Sequence, residues 1–217
     1  METLTVFGEL LKPWIYIQSI KTRRTLYLSI VGCHLGYATQ VGSPQSIGLL
    51  KWVENVQRRA TKLILKLLFR CDVTYKTRLQ LTNLLPTSYW HEFLDIVFFY
   101  KAVHNLVFID SEALPATRQS ARSTRSSSSN AITYIPKQSR TVTYQRPFFT
   151  RACRTWNVLP AELRTSHISL ASFQCSLLQY YNKALDLYDV DHIRTWRTVC
   201  PTCNIARTLL CLPTCCF

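Results

Sequence analysis

The tail of this chain carries four cysteines, Cys200-x2-Cys203-x7-Cys211-x4-Cys216 (or Cys215 one residue earlier), at spacings close to those of small zinc knuckles. Thiolate ligands are soft and favour Zn²⁺ over hard cations. Against that reading, the stretch 205–210 is mostly apolar and glycine-free, and the doubled Cys-x2-Cys pair that marks a zinc site more strongly is missing. A zinc knuckle and a chance cysteine-rich tail therefore both stay open. A second chemistry lies upstream. Arg140, Arg146, Arg151 and Arg154 alternate with Tyr144, Phe148, Phe149 and Trp156. Arginines engage phosphate oxygens, while rings supply either core or base-stacking faces. A third set, Arg58, Arg59, Lys62 and Lys66, has helical spacing, with Arg58, Lys62 and Lys66 predicted to form a cationic ridge at successive i, i+4 positions. Its bland reading is a solvated helix face.

Catalysis is not expected of this chain alone. Two-metal polymerases and nucleases need clustered carboxylates, yet no adjacent Asp-Asp occurs, and Asp186, Asp189 and Asp191 fall where a helix frays. With five glycines in the whole chain there is no phosphate-cradling loop, and no Gly-x-Ser-x-Gly elbow is present. His91 and His104 lack a ligand partner at useful spacing and read as packing or surface residues.

Composition bounds the partner. In 217 residues, 47% are hydrophobic and 12% aromatic, enough to bury a core. Lys and Arg number 26 against 12 Asp and Glu, a net charge of +14 that points to an anionic partner, RNA or DNA before an acidic membrane. Between Thr117 and Trp156 there are eight cations and no acid, so much of the excess is concentrated. The first ten residues lack a basic region and a cleavage site, and no apolar run approaches the roughly 18 to 20 residues that span a bilayer. The expectation is an intracellular protein, nuclear or cytoplasmic, neither secreted nor membrane-bound. Nine cysteines, four of them scattered as Cys33, Cys71, Cys153 and Cys175, suit reduced thiols.

The elements that must position these residues read as helices. Residues 22–41 carry an apolar stripe at Leu28, Val31, Leu35 and Ala38, and Gly42-Ser43-Pro44 breaks it and starts the next helix. That helix is predicted to bury Leu49, Val53, Val56, Ala60, Leu63 and Leu67, with Ile64 and Leu68 widening the stripe. Two more follow at 74–84 and 88–105, separated by Leu85-Pro86. Residues 114–130 shift to Ser, Thr and Arg and read as a basic linker. Residues 131–136 and 140–144 alternate and could pair as a short β-hairpin. Pro147 fits a helix start, with Phe149, Cys153 and Trp156 inward, Arg151 and Arg154 outward, and Pro160 as terminator. A final helix at 170–186 aligns Phe173, Leu177 and Tyr181.

The order of short motifs resembles one family. Tyr27-Leu-Ser-Ile-Val, His34-Leu-Gly-Tyr37-Ala, Ser43-Pro44 and Glu54-Asn-Val-Gln-Arg-Arg-Ala-Thr-Lys62 are similar to the end of the reverse transcriptase of jockey-like non-LTR retrotransposons. Arg78-Leu, Leu84-Leu-Pro86, Tyr89-Trp90, Leu94 to Lys101, Arg140-Thr, Phe148-Phe149, Thr155-Trp-Asn-Val-Leu-Pro160 and Ser169 to Phe173 continue the likeness over residues 22–200. Gly36, Gly42 and Asn105 depart from it, the last standing where Gly is common. The resemblance implies an RNA-directed DNA polymerase whose catalytic aromatic-x-Asp-Asp motif precedes this stretch, a helical thumb, and basic helices that hold template and primer.

The combined expectation is a mainly α-helical chain: a start at 1–21 that matches poorly, a thumb-like helical bundle at 22–113, the linker at 114–130, a smaller helical unit at 131–190 with the hairpin, and the Cys-rich tail at 191–217. Its function is expected to be non-catalytic RNA or DNA binding beside the rest of a reverse transcriptase. The alternatives are a protein-interaction or structural module, or a non-functional translated transposon remnant. No cofactor is expected beyond zinc in the tail.

Overall fold

The computed structural model describes residues 17–37, 39–42, 47–67, 73–110, 112–117, 131–136, 148–165 and 169–187. The chain is mainly α, with no β-strand among the described residues. Its residues group into two compact units. The first takes the described residues up to His91 together with those from Leu185, and the second takes Glu92–Ala184.

The first unit opens with α1, Ile20–Leu26, whose last residue leads directly into a π-helical turn, Tyr27–Gly32. Bonding one residue further back widens that turn: the Cys33 N–H donates to the Leu28 carbonyl five residues earlier. Both Tyr27 and Val31 are thereby buried. The single helix expected over 22–41 is thus interrupted. After α2, Cys33–Leu35, the chain stops at Gly36 and resumes as α3, Thr39–Gly42. The Ser43-Pro44 start signal lies outside the described residues.

The next helix, α4, covers Ile47–Ile64. Its inward face follows the predicted apolar stripe only in part: Ala60 and Ile64 are buried as expected, and Val56 and Leu63 pack against the core from its edge. Leu49 is 55% exposed and Val53, Val56 and Leu63 are half-buried, whereas Glu54, Gln57, Ala60, Thr61 and Ile64 are buried. The helix is rotated toward its polar residues because those residues are hydrogen-bonded, which removes the cost of burying them. Short helix α5, Tyr75–Thr82, is capped by the Thr74 hydroxyl and ends at Asn83, whose left-handed φ of 50° lets the Leu84 N–H reach back to the Leu79 carbonyl. Tyr27, Val31, Ala60, Ile64, Tyr75, Leu79, Leu84 and Leu185 form the core of this unit.

Helix α6, Thr87–Val103, begins in the first unit and enters the second at Glu92. It ends at Asn105, again left-handed at φ 55°, with the Leu106 N–H bonded to the Lys101 carbonyl. In the second unit α7, Phe148–Val158, is followed by a 3-10 turn, Ala161–Arg164, and by α8, Leu170–Leu187. Phe99, Tyr100, Tyr134, Trp156 and Phe173 make its aromatic core, with Tyr100 and Phe173 stacked at 4.3 Å and 18°. Asn157 clamps Tyr134 as a strand would, accepting from its N–H at 3.0 Å and donating to its carbonyl at 2.7 Å. Tyr134 also forms an antiparallel bridge with Thr117. The other arm of the expected hairpin, 140–144, lies outside the described residues, as does most of the expected linker, 118–130.

Candidate nucleic-acid interface

Only part of the predicted cation set reaches the surface as expected. On α4, Arg59 is exposed, as is Lys51 two turns earlier, and Lys62 is half-buried on the same side of the helix. Arg58 is drawn inward: its guanidinium carbon lies 4.2 Å from the centroid of the Tyr75 ring, where Arg78 also sits at 5.5 Å. Lys66 does not extend an i, i+4 ridge, because α4 ends at Ile64 and Lys66 adopts a left-handed φ of 54°. Its ammonium donates to the Gln18 side chain at 3.1 Å. The left-handed residue closes the helix, as the Leu67 N–H returns to the Lys62 carbonyl at 2.9 Å.

On α7 the inward set is as predicted, with Cys153 and Trp156 buried and Phe149 half-buried. Arg151 is not a free outward cation. Its Nε and Nη2 both donate to Asp95 Oδ2, at 3.0 and 2.7 Å, and its guanidinium also lies 6.0 Å from the Phe148 ring. An arginine engaged twice by a largely buried carboxylate serves to hold α7 on the second unit's part of α6. Arg154 is half-buried. Arg140 and Arg146 lie outside the described residues.

Two arginines outside the predicted cation sets carry structure instead. Arg23 is buried and donates to the Leu63 carbonyl at the end of α4, at 2.9 Å. Arg24 donates to the Thr82 and Asn83 carbonyls at the end of α5, at 2.8 and 3.1 Å. Neighbouring guanidinium groups thus satisfy the orphan carbonyls of two different helices.

Beneath the cationic side of α4 lies a buried polar network. Glu54 accepts from the Tyr75 hydroxyl at one oxygen and from the Thr87 N–H at the other, the latter at 2.9 Å. Gln57 accepts from the Tyr27 and Thr87 hydroxyls, each at 3.2 Å, and donates to the Leu85 carbonyl. Burial pushes the Glu54 carboxyl above its ordinary value, against the opposing pull of its hydrogen bonds and of Arg58. The same burial, with Glu54 close by, pushes the Tyr75 hydroxyl well up. Glu54 is the one carboxylate among the described residues from 17 to 91, so that stretch presents its cations without an exposed acid between them.

No group of three or more His, Cys, Asp or Glu among the described residues is arranged to hold a metal ion. Cys200, Cys203, Cys211 and Cys216 lie outside the described residues. His91 bonds through Nε2 to the Leu35 carbonyl at 2.8 Å, and His104 packs on Tyr100 at 4.1 Å. Burial pushes the Cys153 thiol up to about 11, with Arg154 pulling more weakly the other way, while Cys33 and Cys175 are exposed. Because the thiolate is the nucleophile, brief treatment of the folded protein with iodoacetamide at pH 7.5 is expected to label Cys33 and Cys175 and spare Cys153 until denaturant is added. Peptide mass spectrometry reads this directly, and early labelling of Cys153 would contradict its burial.

No helix among the described residues is long and apolar enough to cross a membrane. Comparison with protein-family models, with curated proteins and with solved structures finds no match to this chain.

Proposed function

We propose that this chain is the non-catalytic C-terminal part of a retrotransposon RNA-directed DNA polymerase and binds the RNA or DNA backbone through its basic helices. The observation that carries the binding reading is the charge layout of α4. Lys51, Arg59 and Lys62 share one side, while the only described carboxylate between residues 17 and 91 is buried and hydrogen-bonded beneath them. A phosphate backbone approaching that side meets cations with no competing acid among the described residues of that stretch.

Two further observations support the ancestry. The motif residues that carry the resemblance converge in one place: Glu54, Gln57 and Arg58 on α4 meet the Arg78 and Leu85 neighbourhood through Tyr75 and the Gln57 bond to the Leu85 carbonyl. Asn105, where the family commonly has Gly, adopts the left-handed conformation that Asn and Gly tolerate best. In this reading the thumb-like bundle spans residues 22–113 and the smaller C-terminal unit 131–190, and the protein works in the nucleus or cytoplasm where its template is found. Catalysis belongs to the part of the polymerase carrying the Asp-Asp motif, which this sequence lacks.

Fluorescence anisotropy of the full chain with a labelled single-stranded 20-mer, taken across a salt series, tests the reading. Each phosphate neutralised by a cation is expected to contribute about 0.7 to the log–log salt slope. Replacing Arg59 and Lys62 by alanine should weaken binding and flatten the slope by about 0.7 for each phosphate that is no longer neutralised. A chain with no affinity for RNA or DNA at low salt would leave the interaction-module reading in its place. Arg151 is a poor probe, since its removal also breaks its ion pair with Asp95.

A further inference from the structure

Trp52 is 54% exposed on α4, although tryptophan carries the largest apolar side chain and is usually well covered. The helix places it on its cationic side. Asn55 and Arg59 stand three and seven residues on, Lys51 is adjacent in sequence, and the buried face through Glu54, Gln57, Ala60, Thr61 and Ile64 points elsewhere. Other strongly exposed rings lack this setting: Tyr37 and Phe108 lie outside any long helix and away from a cation row.

We propose that Trp52 is a stacking platform for an unpaired base of a single-stranded polynucleotide, with Lys51 and Arg59 holding the flanking phosphates and Asn55 available to a base edge or sugar. This rests on the nucleic-acid reading above and adds to it the strand state of the ligand. An indole beside Lys51 and Arg59, on a helix whose one carboxylate, Glu54, is buried, matches the pairing of charged groove and aromatic face by which single strands are held without sequence preference. Charge selects the occupant, because an apolar protein partner gains nothing from the cations beside the ring. Base faces are common to RNA and DNA, so the platform accepts both.

The test uses the full chain, Trp52→Ala and Trp52→Phe, each confirmed as folded by circular dichroism, with labelled oligo(U), oligo(dT) and an abasic strand of equal length. Trp52→Ala is expected to weaken binding to oligo(U) and oligo(dT) about 5- to 100-fold, to leave the salt slope unchanged and to leave the abasic strand unaffected. Trp52→Phe should retain most of the affinity. Equal weakening on all three strands would assign the indole to packing and overturn the proposal. Unchanged binding, with or without loss of self-association in sedimentation, would overturn it too while leaving the backbone-binding reading intact. If the unaltered chain binds no strand, both readings fall together.

Discussion

Trp156→Ala is expected to unfold the second unit or bring it to the edge of unfolding, at a cost of about 3–5 kcal/mol. The indole is 1% exposed and sits among Phe99 at 5.5 Å, Phe173 at 5.8 Å, Tyr134 at 6.1 Å and Tyr100 at 6.4 Å. Those rings come from separate elements, α6, the 131–136 segment and α8, so none can follow α7 into the space the indole leaves. The truncation also removes the Nε1 donor to the half-buried Ile132 carbonyl at 3.0 Å, a net loss of about 0.5–1.5 kcal/mol. A domain has only about 5–15 kcal/mol to lose. Urea denaturation followed by near-ultraviolet circular dichroism should therefore show a large drop in midpoint. Trp156→Phe keeps ring packing and loses the donor, and should fall between the two. A midpoint within experimental error of the unaltered protein would mean that this cluster does not hold the unit together.

The helices were legible where burial follows apolarity. Phe173, Leu177 and Tyr181 recur at steps of four and are all fully buried on α8, and Cys153 and Trp156 follow the inward phase of α7 from spacing alone. Phasing was only partly right on α4, where Ala60 and Ile64 are buried as expected but share the inward face with polar residues. Glu54, Gln57 and Thr61 repeat at i, i+3 and i+7, a helical stripe invisible to a search for apolar residues, and the partners of the first two, Tyr27, Tyr75 and Thr87, are 21 to 33 residues away. The candidate site was blurred for the same reason. Arg151 looks outward by local spacing, but Asp95, 56 residues earlier, draws it into an ion pair. Lys66 continues the helical count in sequence, but the backbone turns left-handed there. Net charge and its concentration could be read directly, whereas the division of cations between structure and surface depended on partners distant in sequence.

The pH dependence of the first unit is expected to run through Glu54. Burial raises its carboxyl above the ordinary value near 4.5 in the folded chain, so folding favours the protonated form. The folded state then binds more protons than the unfolded state between the ordinary value and the raised one. This group's contribution to stability is therefore greatest below that ordinary value, and declines as pH rises through the folded value. Glu54→Gln imitates the protonated form: its carbonyl can still accept from the Thr87 N–H, and its amide can face the Tyr75 oxygen as donor. Relative to the unaltered chain, Glu54→Gln should gain stability as pH is raised from about 4 to about 8, with the gap closing toward the acid end. Glu54→Ala behaves differently, leaving the Thr87 N–H and the Tyr75 hydroxyl buried without that acceptor, each at about 1–3 kcal/mol, and should destabilise at every pH. Urea midpoints of the three proteins across that range decide the matter. Parallel curves for the unaltered and Glu54→Gln chains would show that the carboxyl does not change its affinity for the proton on folding, and a neutral Glu54→Ala would show that its two hydrogen bonds do not hold α4 to the start of α6.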